Sequence, residues 1–156
     1  MNNSALNNIL KIFFTLGTCG DFRTIRYFAK KYKFFVPLYK LYTIFHGACI
    51  PLCNDIADSV NYVHAPYGCF FSASCKIGEN CTIMQHVTIG SNFINKKENG
   101  GAPIIGDNVF IGAGAKIIGK IKIGNNVNIG AGCIVVTDIP DNVTVVMNKP
   151  RIILKK

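Results

Sequence analysis

The sequence predicts a mainly β chain, a three-sided solenoid of short parallel strands carrying a short N-terminal α-helical cap. Three observations predict it. An aliphatic or aromatic residue recurs every sixth position through Phe71, Ile77, Ile83 and Ile89, and again through Ile105, Ile111, Ile117, Ile123, Ile129 and Val135. Six of these ten are followed by glycine: Gly78, Gly90, Gly106, Gly112, Gly124 and Gly130. The residue four further on is mostly slim (Cys75, Cys81, Val87, Val109, Ala115, Val127, Cys133), with Phe93 and Ile121 as bulky inward members. Helices repeat near 3.6 residues and ordinary strands at 2. A period of six needs a coil with one hexapeptide per side and three sides per turn.

Residues 18 apart then stack rung on rung, roughly 4.8 Å apart. Ile105 is expected beneath Ile123, Ile111 beneath Ile129 and Ala115 beneath Cys133. A glycine after the aliphatic residue suits a corner that needs either positive φ or close backbone approach.

Taken in chain order, residues 5–16 and 22–35 read as helices separated by Gly17, Gly20 and Asp21, with Asp21 as an N-cap for the second. Pro37 opens a third, 37–46, that stops at Gly47. A solenoid end exposes unpaired backbone, so a cap is physically required. Ile50, Ile56 and Tyr62 already keep the six-residue step. The step from Tyr62 to Phe71 is nine, which predicts a bulge within His64–Cys69. The step from Ile89 to Ile105 is sixteen, and the excess is polar and Gly-rich, so residues 91–103 should protrude. Asp138–Asn142 reads as a turn, after which the tail is expected to return along the outside of the prism. The domain reading is 1–47 helical, 48–139 solenoid and 140–156 tail.

The 156 residues suit one unit, and no apolar run reaches the roughly 20 residues of a membrane helix. The N-terminal stretch lacks the pattern of a secretory signal, so a cytoplasmic location is expected. The seven cysteines are an odd number without framework spacing, and three occupy the slim inward slot, where a thiol packs as a small hydrophobe. The net charge of +9 is uneven. Residues 1–46 carry Lys11, Arg23, Arg26, Lys30, Lys31, Lys33 and Lys40 against Asp21 alone, with seven of eleven Phe and four of six Tyr. This composition fits a cap exposing its lysines first. Association with an acidic membrane surface, peripheral to its inner face, comes second, and nucleic acid is not expected.

Of the three histidines, His46 ends the helical region and reads as packing or surface. His86, in MQHVTIG, should face outward. His64 sits in YVHAPYG, at an irregularity in an otherwise regular scaffold, which makes it the best candidate for chemistry. The three are too dispersed for a zinc triad, and no metal is expected.

HAPYGCFFSASCKIGENCTIMQHVTIG followed by GGAPIIGDNVFIGAGAKIIGKIKIGNNVNIGAGCIVV resembles the left-handed β-helix acyltransferases. The likeness is to the serine acetyltransferase branch and its relatives that O-acetylate sugars, and it covers residues 50–152. The resemblance implies a left-handed coil, acetyl-CoA as donor, a hydroxyl acceptor and a homotrimer with sites between subunits. His64 matches the catalytic base, whose neutral imidazole accepts the acceptor's hydroxyl proton. Gly90, Ser91, Asn92, Ala113 and Ala131 match positions along the cofactor arm. Lys116, Lys149 and Arg151, with Lys96 and Lys97 of the loop, are candidates for its phosphates. Tyr67, Gln85, His86 and Ala102 fall on the acceptor side.

The chain departs from that branch in three places. The Asp expected before the histidine is Val63, the acidic residue one coil earlier is Cys49, and a second histidine is Ala102. Asp55, Asp58, Glu98 or a backbone carbonyl are the remaining partners for His64. Since the missing groups bind serine or tune the base, the expected acceptor is a sugar hydroxyl of a surface polysaccharide or its precursor, with serine as the alternative. A non-catalytic binding or assembly protein is a further alternative.

Overall fold

The computed structural model describes residues 21–93, 101–149 and 151–153. The helix expected at 5–16 lies outside them. Among the described residues, helix α1 (Asp21–Lys31) and helix α2 (Val36–Phe45) are joined by a 3-10 turn at Lys33–Phe35. The second helix, expected at 22–35, therefore ends four residues early, where the chain passes into the 3-10 turn. Pro37 lies in the first turn of α2, where its missing N–H costs nothing. Gly47, at φ +56, follows the end of α2.

The strands form three parallel sheets, the sides of a prism. The first side holds Phe70–Phe71, Thr88–Gly90, Lys116–Ile118 and Ile134–Val135, extended by a bridge between Cys49 and Phe70. The second holds Asp55–Ile56, Lys76–Ile77, Ile104–Ile105 and Lys122–Ile123. The third holds Asn61–Pro66, Thr82–Ile83, Phe110–Ile111, Asn128–Ile129 and Thr144–Val145. Ile123 pairs with Ile105 and Ile129 with Ile111, the expected register. Through the regular coils both members of the inward pair are buried: Ile83, Ile111, Ile117 and Ile129 on one hand, Cys81, Val87, Ala115 and Val127 on the other. Each such isoleucine contributes about 1.5–3 kcal/mol by leaving water.

Three expectations fail. Phe93 points outward, 72 % exposed, because the chain has already left the coil at the base of the loop. The segment 138–142 is more than a turn, since Ile139 bridges to Ile123 and continues the second side. The tail does not begin outside the prism either: Thr144–Val145 pairs in parallel with Asn128–Ile129 as a further rung.

Corner chemistry divides between two residue sets. Gly78, Gly106, Gly112 and Gly124 are required by close approach, not by positive φ. A methyl on Gly106 would stand 2.6 Å from Asn125 Oδ1, and one on Gly112 2.5 Å from the Ala131 nitrogen. The positive φ values fall two residues later. Asn80, Asn108, Asn126 and Asn142 turn the corner between the second and third sides, at φ 54 to 61. Side chains tie these rungs together: Asp107 N donates to Asn125 Oδ1 (2.8 Å) and Asn125 N to Asp141 Oδ1 (2.8 Å). At the corner between the third and first sides stand Gly68, His86, Gly114 and Gly132, again at positive φ.

The cap closes the first coil. Phe22 and Ile25 of α1 are fully buried, and the Phe22 ring meets Tyr62 edge-on at 4.7 Å. The first coil has no preceding rung to accept from, so its carbonyls need other donors. Tyr39 donates to the Ile50 carbonyl (2.5 Å), and the buried Arg26 guanidinium to the carbonyls of Pro51 (3.1 Å) and Asn54 (3.2 Å).

Candidate functional site

Consecutive rungs on the first side are 18 residues apart between Phe70 and Thr88 but 21 between Cys49 and Phe70. The three extra residues form the expected bulge. The chain pairs with the next rung through Tyr62, opposite Ile83, and the strand continues around the bulge to Pro66. His64 is exposed, Ala65 adopts φ +53, and Pro66 is buried. Gly68, at φ +63, donates to the His46 carbonyl (2.9 Å) and returns the chain to the coil. A non-glycine residue held left-handed beside the candidate base costs on the order of 1–3 kcal/mol, and such strain concentrates where side chains must be aimed.

His64 has no hydrogen-bond or ion-pair partner among the described residues. Its proposed orienting groups are elsewhere. Asp55 pairs with Lys76 at 3.3 Å on the second side, and Asp58 acts electrostatically on Lys30. Glu98 lies outside the described residues, and no backbone carbonyl among those described accepts from the ring. Val63 is half-buried and Cys49 exposed, and neither is a carboxylate.

Above the bulge, the corner rises rung by rung through Tyr67, Gln85, Ala113 and Ala131. His86 N donates to Tyr67 O (2.7 Å), Gly114 N to Gln85 O (2.9 Å) and Gly132 N to Ala113 O (2.8 Å). The exposed Tyr67 packs on the buried His46 ring at 4.4 Å. Gln85 Oε1 is buried without a partner, an acceptor left open at this corner. Ala113 and Ala131 leave the edge shallow, and a methyl on Gly114 would meet nothing within 4 Å.

A second feature lies at the opposite edge of the first side. A groove of about 620 Å³ is lined by Cys49, Phe70, Ser72, Gly90, Ser91 and Asn92, among others. Its rim is the neck of the 91–103 loop, closed by an antiparallel bridge in which Asn92 N donates to Gly101 O (3.1 Å). Ser72 and Ser91 share a hydrogen bond of 2.5 Å. Ser72 was not singled out by the sequence; the 18-residue stacking rule, which sets Ser91 next to Ala73, was the signal available. Ala102 is half-buried against the core at the loop's far end. Lys96, Lys97 and the rest of 94–100 lie outside the described residues.

The candidate residues therefore form two groups. His64, Tyr67, Gln85, His86, Ala113 and Ala131 share one corner, and Gly90, Ser91, Asn92 and Ala102 the other edge. A six-residue side separates them, at most roughly 20 Å. Lys116 projects from the side between them, exposed. Lys149 and Arg151 are exposed and follow Met147, whose sulfur would lie 3.2 Å from a methyl on Gly132. Among the described residues no group of three or more His, Cys, Asp or Glu is placed to hold a metal.

Residues 102–137 match the family model described as bacterial transferase hexapeptide (six repeats). Serine acetyltransferases of Staphylococcus epidermidis and Staphylococcus aureus are each 48 % identical over 79 residues, covering 51 % of this chain and 36 % of theirs. Serine acetyltransferase isoform 3 of Entamoeba histolytica, solved in complex with cysteine, is similar at 33 % identity and TM-score 0.67, over 80 % of this chain and 44 % of that one. The Neisseria gonorrhoeae serine acetyltransferase, solved in complex with serine, gives 30 % and 0.65 over 83 % and 54 %. The chain thus spans little more than a third of the curated relatives and about half of the solved ones.

Proposed function

We propose that this chain, a left-handed β-helix of the hexapeptide-repeat, serine acetyltransferase-like acyltransferases, transfers acetyl from acetyl-CoA to a small hydroxyl acceptor, with L-serine the first candidate. The observation carrying this reading is His64: an exposed imidazole with no competing partner among the described residues, aimed by a strained bulge in a scaffold that is otherwise periodic. Its neutral ring takes the proton from the acceptor hydroxyl as that oxygen bonds to the thioester carbonyl carbon. Collapse of the tetrahedral intermediate breaks the carbon–sulfur bond, and the imidazolium returns the proton to the departing thiolate. The products are the O-acetyl ester and free CoA, with His64 restored. Backbone N–H groups are the expected oxyanion donors.

The slim corner at Ala113 and Ala131 suits a pantetheine arm, and Lys116, Lys149 and Arg151 offer positive charge to its phosphates. The separation of the two residue groups favours a homotrimer, in which His64 of one chain faces the Gly90–Asn92 groove of a neighbour.

The acceptor preference moves away from the sugar expected from sequence, because the similar chains are named serine acetyltransferases. A sugar hydroxyl stays as the second reading on one specific observation: Val63 and Cys49 put no carboxylate beside His64 where serine's ammonium would want one.

The test is thiol release from acetyl-CoA with L-serine and with a panel of nucleotide- and lipid-linked sugars. Serine-dependent release that disappears in His64→Ala supports the main reading, and release with sugars alone transfers it to the second. Equal release by wild type and His64→Ala removes the assignment of the base. No release with any acceptor leaves a binding or assembly role.

A further inference from the structure

Among the described residues, the helical cap packs one face on the coil. Phe22, Ile25, Arg26 and Ala29 of α1, and Tyr39, Tyr42, Thr43 and His46 at α2, are buried. At about 100° per residue, Pro37, Leu41, Ile44 and Phe45 point the opposite way, with Lys40 on their flank. Leu41 is 50 % exposed, Ile44 71 %, Phe45 76 %, and Phe34 in the connecting turn 87 %. The same two helices and the turn between them carry the exposed cations Arg23, Lys30, Lys31, Lys33 and Lys40, of which Lys30 lies within electrostatic reach of Asp55 and Asp58. No acidic residue occurs from Phe22 to Asn54.

We propose that this outward face docks on an anionic lipid bilayer, with Phe34, Leu41, Ile44 and Phe45 entering the headgroup boundary and the five cations meeting the lipid phosphates. Charge complementarity selects this occupant. Residues 1–20 contain one lysine and no acid, so they cannot neutralise the face. A second copy laid against it would set cations on cations. Large apolar side chains interleaved with lysines on a short helix are the chemistry of interfacial binding, in which buried apolar area and attraction to anionic lipid act together. No described helix is long and apolar enough to cross a membrane, so the contact is with the surface. The inference is independent of acyl transfer.

The test is flotation of the full chain with phosphatidylcholine vesicles, and with vesicles in which about a third of the lipid is phosphatidylglycerol, at low and high salt. Binding to the anionic vesicles alone, weakened by salt, is expected. At about 1 kcal/mol per basic residue, Lys33→Glu/Lys40→Glu should weaken it at least about tenfold, and Ile44→Ser/Phe45→Ser should weaken it at both salt concentrations. All four side chains are exposed, so an unchanged thermal midpoint checks folding. Equal binding to both vesicle types, or no binding to either, overturns the proposal. Binding that neither double variant alters assigns the contact to residues 1–20 and also overturns it. Lipid-independent self-association abolished by Ile44→Ser/Phe45→Ser overturns it in favour of a second copy.

Discussion

The His86 ring lies across Gly68 one rung below, so closely that a methyl on Gly68 would overlap Nδ1. His86 is itself left-handed (φ +60) in a column otherwise made of glycine. Gly68→Ala therefore meets both a backbone penalty and a clash, whereas Gly114→Ala, at φ +70 in open space, meets the first alone. Thermal unfolding should show Gly114→Ala losing about 1–2 kcal/mol and Gly68→Ala clearly more. Adding His86→Ala to Gly68→Ala should recover the difference; if it does not, the ring is not what fills that space.

Burial pushes the thiols of Cys69 and Cys75 up to about 11 from an ordinary 9, and raises Cys81 in the same direction. Near neutral pH, thiol reagents should label the exposed Cys49 and Cys53 of the folded chain and spare these three; mass spectrometry after brief alkylation reads this directly.

The same shifts set a pH dependence. A thiol whose folded pKa is raised stays protonated after the unfolded chain has ionised. The unfolded state then binds fewer protons, and stability falls as pH rises. The loss should occupy the window from about 9 to about 11, and denaturant midpoints across that range check it.

Arg26 carries the closure of the first coil. Arg26→Met keeps much of the bulk but leaves the Pro51 and Asn54 carbonyls without their donors. A loss of about 2–4 kcal/mol is expected from two or more buried groups left unpaired. An unchanged midpoint would mean that water reaches those carbonyls.

In the coil's interior, Ile111→Ala should cost about 2–5 kcal/mol through the cavity it leaves between Ile83 and Ile129. Phe110→Ala, on the outward side of the same strand, should cost far less. If Phe110→Ala lowers the mass of the protein in solution, that side is a contact between copies.

Much of this was legible in the residues. Ile50, Ile56 and Tyr62 announced that the coil begins before its glycines do, and the nine-residue step to Phe71 located the bulge that exposes His64. The tail was misread because Asp138–Asn142 has turn composition, while Ile139 and Val145 find rung partners that only the preceding coil supplies. Phe93 was misread because a six-residue count continues across a boundary at which the backbone has already departed.

Periodicity reports what each rung must bury, and that is local: an apolar side chain every sixth residue has one economical way to leave water, so the coil and its interior follow from the residues alone. Where the candidate groups stand relative to one another was settled only by the folded chain. It set His64 and the Gly90–Asn92 groove on opposite edges of one side, and turned Phe22, Tyr39 and Tyr42 of the cap inward. The reason is geometric: rungs that touch are separated by 16 to 28 residues, counting Asn128 to Thr144 and Thr88 to Lys116, and each insertion changes which corner a residue reaches without altering the pattern around it.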